Sequence, residues 1–132
     1  MDLDECEFVN FNSCQFLNSA DLKPTNTQTL PAIARDIFFN NCIIDTCNMR
    51  SDNADRLFIK GCSIYNANFY FFNTSIVFED NVVTQRDGFN YYNSVQTGST
   101  TGGYITLISC HKVEVNNNKV IQRNTGHFKI SL

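Results

Sequence analysis

The chain has 132 residues and a formal net charge of -3, with ten Lys and Arg against thirteen Asp and Glu. This length predicts one domain, large enough to bury a core, and the scattered positive charge argues against a nucleic-acid partner because no basic stripe could displace counterions. No apolar run approaches the roughly 20 residues that cross a bilayer, and the acidic start MDLDECEF is unlike a signal peptide, so we expect neither membrane insertion nor an export signal.

A spacing of apolar positions appears near the N-terminus and returns along the chain. It has eight positions: an apolar residue, any residue, an apolar residue, two turn-forming residues, Cys or Asn, any residue, and an apolar residue. The equivalent residues Ile37, Leu57 and Ile76 lie 20 and then 19 residues apart, and self-similarity at such a period predicts a stacked repeat. In chain order the copies are Val9, Phe11, Cys14 and Phe16; Ile37, Phe39, Cys42 and Ile44; Leu57, Ile59, Cys62 and Ile64; Ile76, Phe78, Asn81 and Val83; and Val113, Val115, Asn118 and Val120.

The apolar positions of each copy alternate with a period of two, which is typical of strands rather than helices. A second column of small residues follows at Cys47 and Ala67, and apolar pairs such as Phe69 with Phe71 come next. We therefore expect three short strands per copy, with tight Asn-rich corners between them and almost no helix.

Two insertions interrupt the repeat. Residues 23–35 hold both prolines and are predicted to form a solvent-exposed loop, because proline removes a backbone donor and favours extended neighbours. Residues 84–103 hold four of the six glycines and are predicted to form a second loop, after which strands return at 104–108 and 127–132. The whole chain, 1–132, is interpreted as a single domain or as a fragment of a longer one.

The six cysteines are interpreted from their positions. Cys14, Cys42 and Cys62 occupy one column of the repeat, and no pair has the close spacing of a zinc site. This favours buried structural thiols, with one or two disulfides as the alternative, and it predicts no metal and no cofactor.

This repeat, with its apolar pairs, tight Asn corners and a column that holds Cys14, Cys42, Cys62, Asn81 and Asn118, resembles the pectate-lyase-like superfamily of parallel β-helices, which includes bacteriophage tailspikes. The resemblance implies an all-β fold, a right-handed single-stranded parallel β-helix of about five coils with two inserted loops. The alternative is a pentapeptide-repeat helix, which the tripeptides CEF, CQF and ADL suggest, but the five-residue step does not continue.

Enzymes of this superfamily bind calcium through clustered acidic residues, which this chain does not align in one column. Glu79, Asp80 and Asp87 remain the candidate catalytic residues, because glycosidases use two carboxylates about 5 to 9.5 Å apart. Glu79 and Asp80 are adjacent and occupy turn positions, so a structural role at the corner is the competing interpretation.

The start of the second insertion carries the candidate ligand-binding residues. Aromatic rings there offer flat apolar faces to sugars, and polar neighbours offer hydrogen bonds; the alternative is a loop that folds its aromatics onto the helix flank. The predicted residues are Arg86, Phe89, Asn90, Tyr91 and Tyr92.

Apolar residues at outward positions form a second predicted surface. If Ile37 and Phe39 point inward, their neighbours point outward, and so many apolar residues on the outside indicate an interface. The partner is expected to be a further copy, in a trimer as in tailspikes, or a flanking domain of a longer chain. The predicted interface residues are Phe38, Phe58, Val77, Ile43 and Val82.

Together these features favour a module that recognises a host polysaccharide, as part of a phage tailspike-like virion protein or a cell-surface protein. A polysaccharide lyase or glycoside hydrolase is the first alternative. A purely structural virion or surface module, without a ligand, is the second.

Overall fold

A computed structural model describes residues 6–18, 22–26, 35–85, 103–122 and 128–131. Within these ranges the regular structure is entirely β-strand, as the two-residue periodicity predicts. No helix in this part of the chain is long and apolar enough to span a membrane.

Fifteen strands are present in the described ranges, and most have three to five residues. Their bounds are β1 Val9–Asn12, β2 Gln15–Leu17, β3 Leu22–Asn26, β4 Ile37–Asn40, β5 Ile43–Asp45, β6 Asn48–Asp52, β7 Leu57–Lys60, β8 Ser63–Tyr65, β9 Asn68–Phe72, β10 Ile76–Glu79, β11 Val82–Gln85, β12 Gly103–Ile108, β13 Val113–Asn116, β14 Lys119–Gln122 and β15 Phe128–Ser131.

These strands form three sheets, and the chain visits the sheets in rotation. The first sheet has the order β1-β4-β7-β10-β13, the second β2-β5-β8-β11-β14, and the third β3-β6-β9-β12-β15. Neighbouring strands pair in parallel, as between β4 and β7 or β6 and β9. The predicted all-β fold of stacked parallel strands is confirmed, and the topology is compatible with a parallel β-helix.

The register of the first sheet matches the sequence repeat. Ile37 pairs with Leu57, and Leu57 pairs with Ile76. The side chains of all three are almost fully buried, whereas Phe38, between two buried neighbours of β4, is half-buried. The inward column of the repeat therefore forms the core, since burial of apolar area is the main stabilising term.

Aromatic side chains fill much of this core. Phe39 stacks on Phe11 with ring centroids 4.9 Å apart, and Phe69 meets Phe78 edge to face at 5.6 Å. The core thus joins the inner faces of different sheets, because Phe69 belongs to the third sheet and Phe78 to the first.

Each corner that lies within the described residues contains a residue with positive φ. We call the turn from the first to the second sheet the first corner, the turn from the second to the third sheet the second corner, and the turn from the third sheet back to the first the third corner. At the first corner the residue with positive φ precedes the Cys or Asn column, and at the other two corners it precedes a similar column. Asparagine and aspartate tolerate this backbone better than most residues, which explains the abundance of Asn. The corner residues are Ser13, Asn41, Gly61, Asp80 and Asn117 at the first corner, Asn18, Thr46 and Asn66 at the second, and Asn53, Asn73 and Ser109 at the third.

From the second copy of the repeat onward, the residue after each first-corner position hydrogen bonds to the preceding copy. Its side chain donates to a backbone carbonyl that lies three residues before the equivalent residue of that copy. We call these residues the corner column: Cys14, Cys42, Cys62, Asn81 and Asn118. The four bonds are Cys42 Sγ to Phe11 O at 3.3 Å, Cys62 Sγ to Phe39 O at 3.3 Å, Asn81 Nδ2 to Ile59 O at 2.9 Å, and Asn118 Nδ2 to Phe78 O at 2.9 Å.

The same bond recurs at the other two corners. At the second corner Cys47 Sγ donates to Phe16 O at 3.3 Å. At the third corner Thr74 Oγ1 donates to Ser51 O at 3.4 Å. At all three corners a small side chain therefore donates to a backbone carbonyl of the preceding repeat.

The insertions differ from the prediction at their edges. The predicted loop 23–35 begins with residues of β3, which pairs with β6 despite containing Pro24. This strand lies at the edge of the third sheet and its register shifts between Leu22 and Thr25, a setting that tolerates proline. The predicted loop 84–103 is shorter at both ends, because β11 runs to Gln85 and β12 begins at Gly103.

Candidate functional site

Glu79 and Asp80, two of the predicted catalytic residues, lie at a first corner. Glu79 ends β10, and its Oε1 pairs with Lys60 Nζ at 2.5 Å. The hydrogen bond to Glu79, assisted by its charge, raises the pKa of the Lys60 ammonium. Asp80 is exposed and has φ of 56°, as the corner requires. Asp87 lies outside the described residues, so the catalytic role remains a prediction.

The predicted ligand-binding residues also fall outside the described ranges; they are Arg86, Phe89, Asn90, Tyr91 and Tyr92. The structure does describe the strands on either side of them. The chain leaves the second sheet at Gln85 and enters the third sheet at Gly103. Among the described residues, β12 of the third sheet is therefore the next strand along the chain.

The outer face of the third sheet carries a concentrated polar and aromatic surface. Alternate residues of a strand point to opposite faces of the sheet. The buried Met49 and Ser51 of β6, and the buried Phe69 and Phe71 of β9, point inward. The other residues of these two strands therefore point outward. They face one another in pairs across the parallel register. We call this set the third-sheet surface: Asn48, Arg50 and Asp52 on β6, and Asn68, Tyr70 and Phe72 on β9.

An ion pair fixes one side of the third-sheet surface. Arg50 Nε donates to both carboxylate oxygens of Asp52 at 3.2 and 3.0 Å, and Arg50 Nη2 lies 3.0 Å from Asp52 Oδ2. The Asp52 side chain is fully buried, whereas that of Arg50 is 41% exposed. Such two-pronged geometry holds the guanidinium in one orientation while part of it faces solvent.

The same guanidinium lies over an aromatic ring. Arg50 Cζ is 5.3 Å from the centroid of Tyr70, its partner in the strand register. A cation at this distance from an aromatic face is attracted to it. Beside this pair, Asn68 Nδ2 donates to Asn48 Oδ1 at 3.0 Å. Several polar groups of the third-sheet surface thus contact one another.

The predicted interface residues lie on two different sheets. Phe38, Phe58 and Val77 are register neighbours on the outer face of the first sheet. The Phe38 and Phe58 rings stack almost in parallel, with centroids 4.5 Å apart. Ile43 and Val82 lie on the second sheet, with Ser63 between them in the register. The apolar exterior is therefore an aromatic row and two separate residues; its role as an interface stays a prediction.

The six cysteines are free thiols, and five of them lie in the core or pack against it. Burial raises the pKa of the Cys62 thiol to about 11, and burial also raises the pKa of Cys42. Both side chains therefore stay protonated near neutral pH and are poor nucleophiles or metal ligands. In the part of the chain that the structure describes, no three His, Cys, Asp or Glu residues are grouped as a metal site requires.

Sequence reasoning missed the third-sheet surface. A signal was available, because Asn48, Arg50 and Asp52 alternate with buried positions and stand 20 residues before Asn68, Tyr70 and Phe72. The repeat is defined by apolar residues at fixed spacing, whereas these positions hold polar and aromatic residues, so the repeat does not predict the third-sheet surface. Comparison of the chain with protein-family models, curated proteins and solved structures finds no match, so the site is interpreted from its own geometry.

Proposed function

We propose that the chain is a right-handed parallel β-helix of five coils that recognises a polysaccharide, as part of a tailspike-like virion protein or a cell-surface protein. Three features support this architecture: the rotation of the chain through three sheets, the five strands in each, and the parallel pairing. Crossovers between parallel strands are right-handed in nearly all proteins, which supports the proposed hand.

The observation that carries the binding proposal is the preorganised third-sheet surface. Its Tyr70 ring, the guanidinium of Arg50 and the amide of Asn48, which the nearly buried Asn68 holds, combine flat apolar area with hydrogen-bond donors and acceptors. Sugars present the matching chemistry, apolar ring faces surrounded by hydroxyls. Groups that are already fixed lose little conformational entropy when they bind, so a shallow surface of this kind can retain an extended glycan.

The position of the second insertion adds support from the sequence. Residues 86–102 connect β11 to β12, and β12 lies beside β9 in the third sheet. The candidate ligand-binding residues at the start of this insertion therefore precede a strand that adjoins Tyr70. We propose that both groups contribute to one binding surface.

A glycan array with purified protein tests this proposal. Tyr70→Ala removes an outward ring from the third sheet, and Tyr65→Ala is its matched control, an outward tyrosine of the adjacent second sheet in the same repeat. We expect Tyr70→Ala to weaken retention by roughly three- to tenfold, the equivalent of an aromatic contact of about 0.5–1.5 kcal/mol, and Tyr65→Ala to leave it unchanged. Tyr91→Ala and Tyr92→Ala should also weaken it.

Equal losses in Tyr70→Ala and Tyr65→Ala would contradict the assignment of the surface. Failure of the wild-type chain to retain any glycan would favour a purely structural module. Product analysis of the bound glycans tests the enzyme alternative: shortened oligosaccharides that disappear with Glu79→Gln or Asp87→Asn would replace the binding proposal with a lyase or hydrolase.

A further inference from the structure

Asp52 is a buried carboxylate at an outward position of the third sheet. Its side chain has no exposed surface, whereas the acidic partners in three other ion pairs, Asp36, Glu79 and Glu114, are 23%, 23% and 38% exposed. Burial of a carboxylate is unfavourable unless hydrogen bonds and an opposite charge compensate it. The contacts with Arg50 supply that compensation, so the two side chains form one unit.

Asp52 occupies an edge of the Arg50 guanidinium that is suited to carboxylates. Arg50 Nε lies 3.2 and 3.0 Å from the two carboxylate oxygens, and Nη2 lies 3.0 Å from Oδ2. Arginine recognises the carboxylate of a ligand through the same two-pronged contact. A carboxylated sugar that took this edge would displace Asp52 and leave a buried carboxylate without its partner, which is strongly unfavourable.

The central strands of the third sheet carry no net charge. Together β6, β9 and β12 contain one basic residue, Arg50, and one acidic residue, Asp52. The whole chain has a formal net charge of -3. An anionic glycan therefore meets no excess of positive charge on these strands, whereas the hydroxyls of a neutral sugar can bond to amide and guanidinium groups without breaking the ion pair.

We propose that Asp52 makes the third-sheet surface selective for uncharged glycans, because it occupies the Arg50 guanidinium and compensates its charge. This inference rests on the proposed glycan-binding function and adds the substrate class, which is neutral sugars rather than sugars that carry carboxylates. Asp52 determines specificity in this role through Arg50, and it needs no contact with the sugar.

Matched glycans test this selectivity in the wild-type chain. Each neutral oligosaccharide that the chain retains on an array is compared with its oxidised form, in which a carboxylate replaces a hydroxymethyl group. We expect the oxidised form to be retained about two- to fivefold less. Equal or stronger retention of the oxidised form would overturn the inference and leave the binding function intact, whereas retention of no glycan at all would overturn both. This comparison needs no variant, so it holds even if a substitution of Asp52 prevents folding.

Asp52→Asn tests the role of the carboxylate. The amide has almost the same shape but no charge and a single acceptor oxygen, so the charge of Arg50 loses its compensation. Asp45→Asn is the matched control, because it removes the same charge from the adjacent second sheet in the same repeat. We expect Asp52→Asn to raise the retention of oxidised glycans relative to neutral ones about two- to fivefold, most strongly at low salt, and Asp45→Asn to leave that ratio unchanged.

A double variant separates the released charge of Arg50 from a change in shape at residue 52. Arg50→Gln combined with Asp52→Asn removes both charges, so the ratio of oxidised to neutral glycan retained should return to the wild-type value. Circular dichroism verifies that each variant is folded. An unchanged ratio in folded Asp52→Asn, an equal rise in Asp45→Asn, or a rise that persists in the double variant would overturn the inference.

Discussion

Replacement of Asn81 by alanine is the sharpest perturbation of the corner column. Asn81 is 1% exposed. Its Oδ1 accepts the Cys62 N–H at 2.9 Å, and its Nδ2 donates to Ile59 O at 2.9 Å and to Asn118 Oδ1 at 3.0 Å. A single side chain therefore satisfies two buried backbone groups of the preceding repeat and joins the next rung of the column.

The expected cost follows from the groups that lose their partner. Asn81→Ala leaves the buried Cys62 N–H without its partner, which costs about 1–3 kcal/mol, and removes one hydrogen bond, worth about 1 kcal/mol, from the Ile59 carbonyl. The space left by the amide adds to this loss. We expect the free energy of unfolding to fall by about 3–5 kcal/mol, a large share of the roughly 5–15 kcal/mol that stabilises a domain.

Urea unfolding followed by circular dichroism measures this loss. Asn81→Cys is the matched control, because Cys62 already shows that a thiol at this position reaches the carbonyl of the preceding repeat. Asn81→Cys should lower the free energy of unfolding by about 1 kcal/mol, and the slope of that free energy against urea concentration should stay unchanged. A loss of less than about 1 kcal/mol in Asn81→Ala, or equal destabilisation of the cysteine and alanine variants, would contradict this role of Asn81.

Two further stability predictions concern Gly61 and Cys62. Gly61 has φ of 65°, and an added Cβ would lie 2.5 Å from Asn41 Oδ1, so Gly61→Ala should lower the free energy of unfolding by at least about 1 kcal/mol; a neutral effect in urea unfolding would contradict the corner geometry. The pKa of the buried Cys62 thiol is about 11 against an ordinary 9.0, so the folded state holds its proton while the unfolded state loses it. Stability should therefore be full below pH 9 and fall by about 2–3 kcal/mol as pH approaches 11, and Cys62→Ser should flatten that part of the unfolding profile, whereas an unchanged profile would refute the assignment.

The sequence was sufficient to predict the parts of the fold that depend on repeated burial. Ile37, Leu57 and Ile76 recur at fixed spacing because each must point into the same core, and the structure aligns them in one register. The Cys and Asn column could be recognised for a related reason. Its members follow a corner with positive φ and bond to the preceding repeat, so only small residues with a donor suit the position.

Features that do not recur at the same position of every repeat could not be predicted in the same way. Pro24 indicated a loop, yet it lies in edge strand β3, because an edge strand can lack a donor. Ile43 and Val82 were grouped with Phe38, although a corner separates them onto another sheet. The third-sheet surface was missed because its residues share a position rather than a chemical type.

The pairing of Arg50 with Asp52 illustrates the same limit. Two residues apart on one strand, they face outward together, and the buried carboxylate depends on the guanidinium beside it. Charge alternation along a short strand is common on exposed surfaces, so the sequence alone gave no reason to prefer a fixed ion pair there. The structure supplies that reason through the contact of Arg50 with Tyr70 in the next strand.

A crystal structure of the chain tests the stacked arrangement most directly. Cys42, Cys62 and Asn81 should lie above one another at the spacing of paired strands, about 4.8 Å, with the Asn81 amide bonded to both Cys62 N–H and Ile59 O. Separation of these three residues onto different elements, or antiparallel pairing of the strands around them, would contradict it.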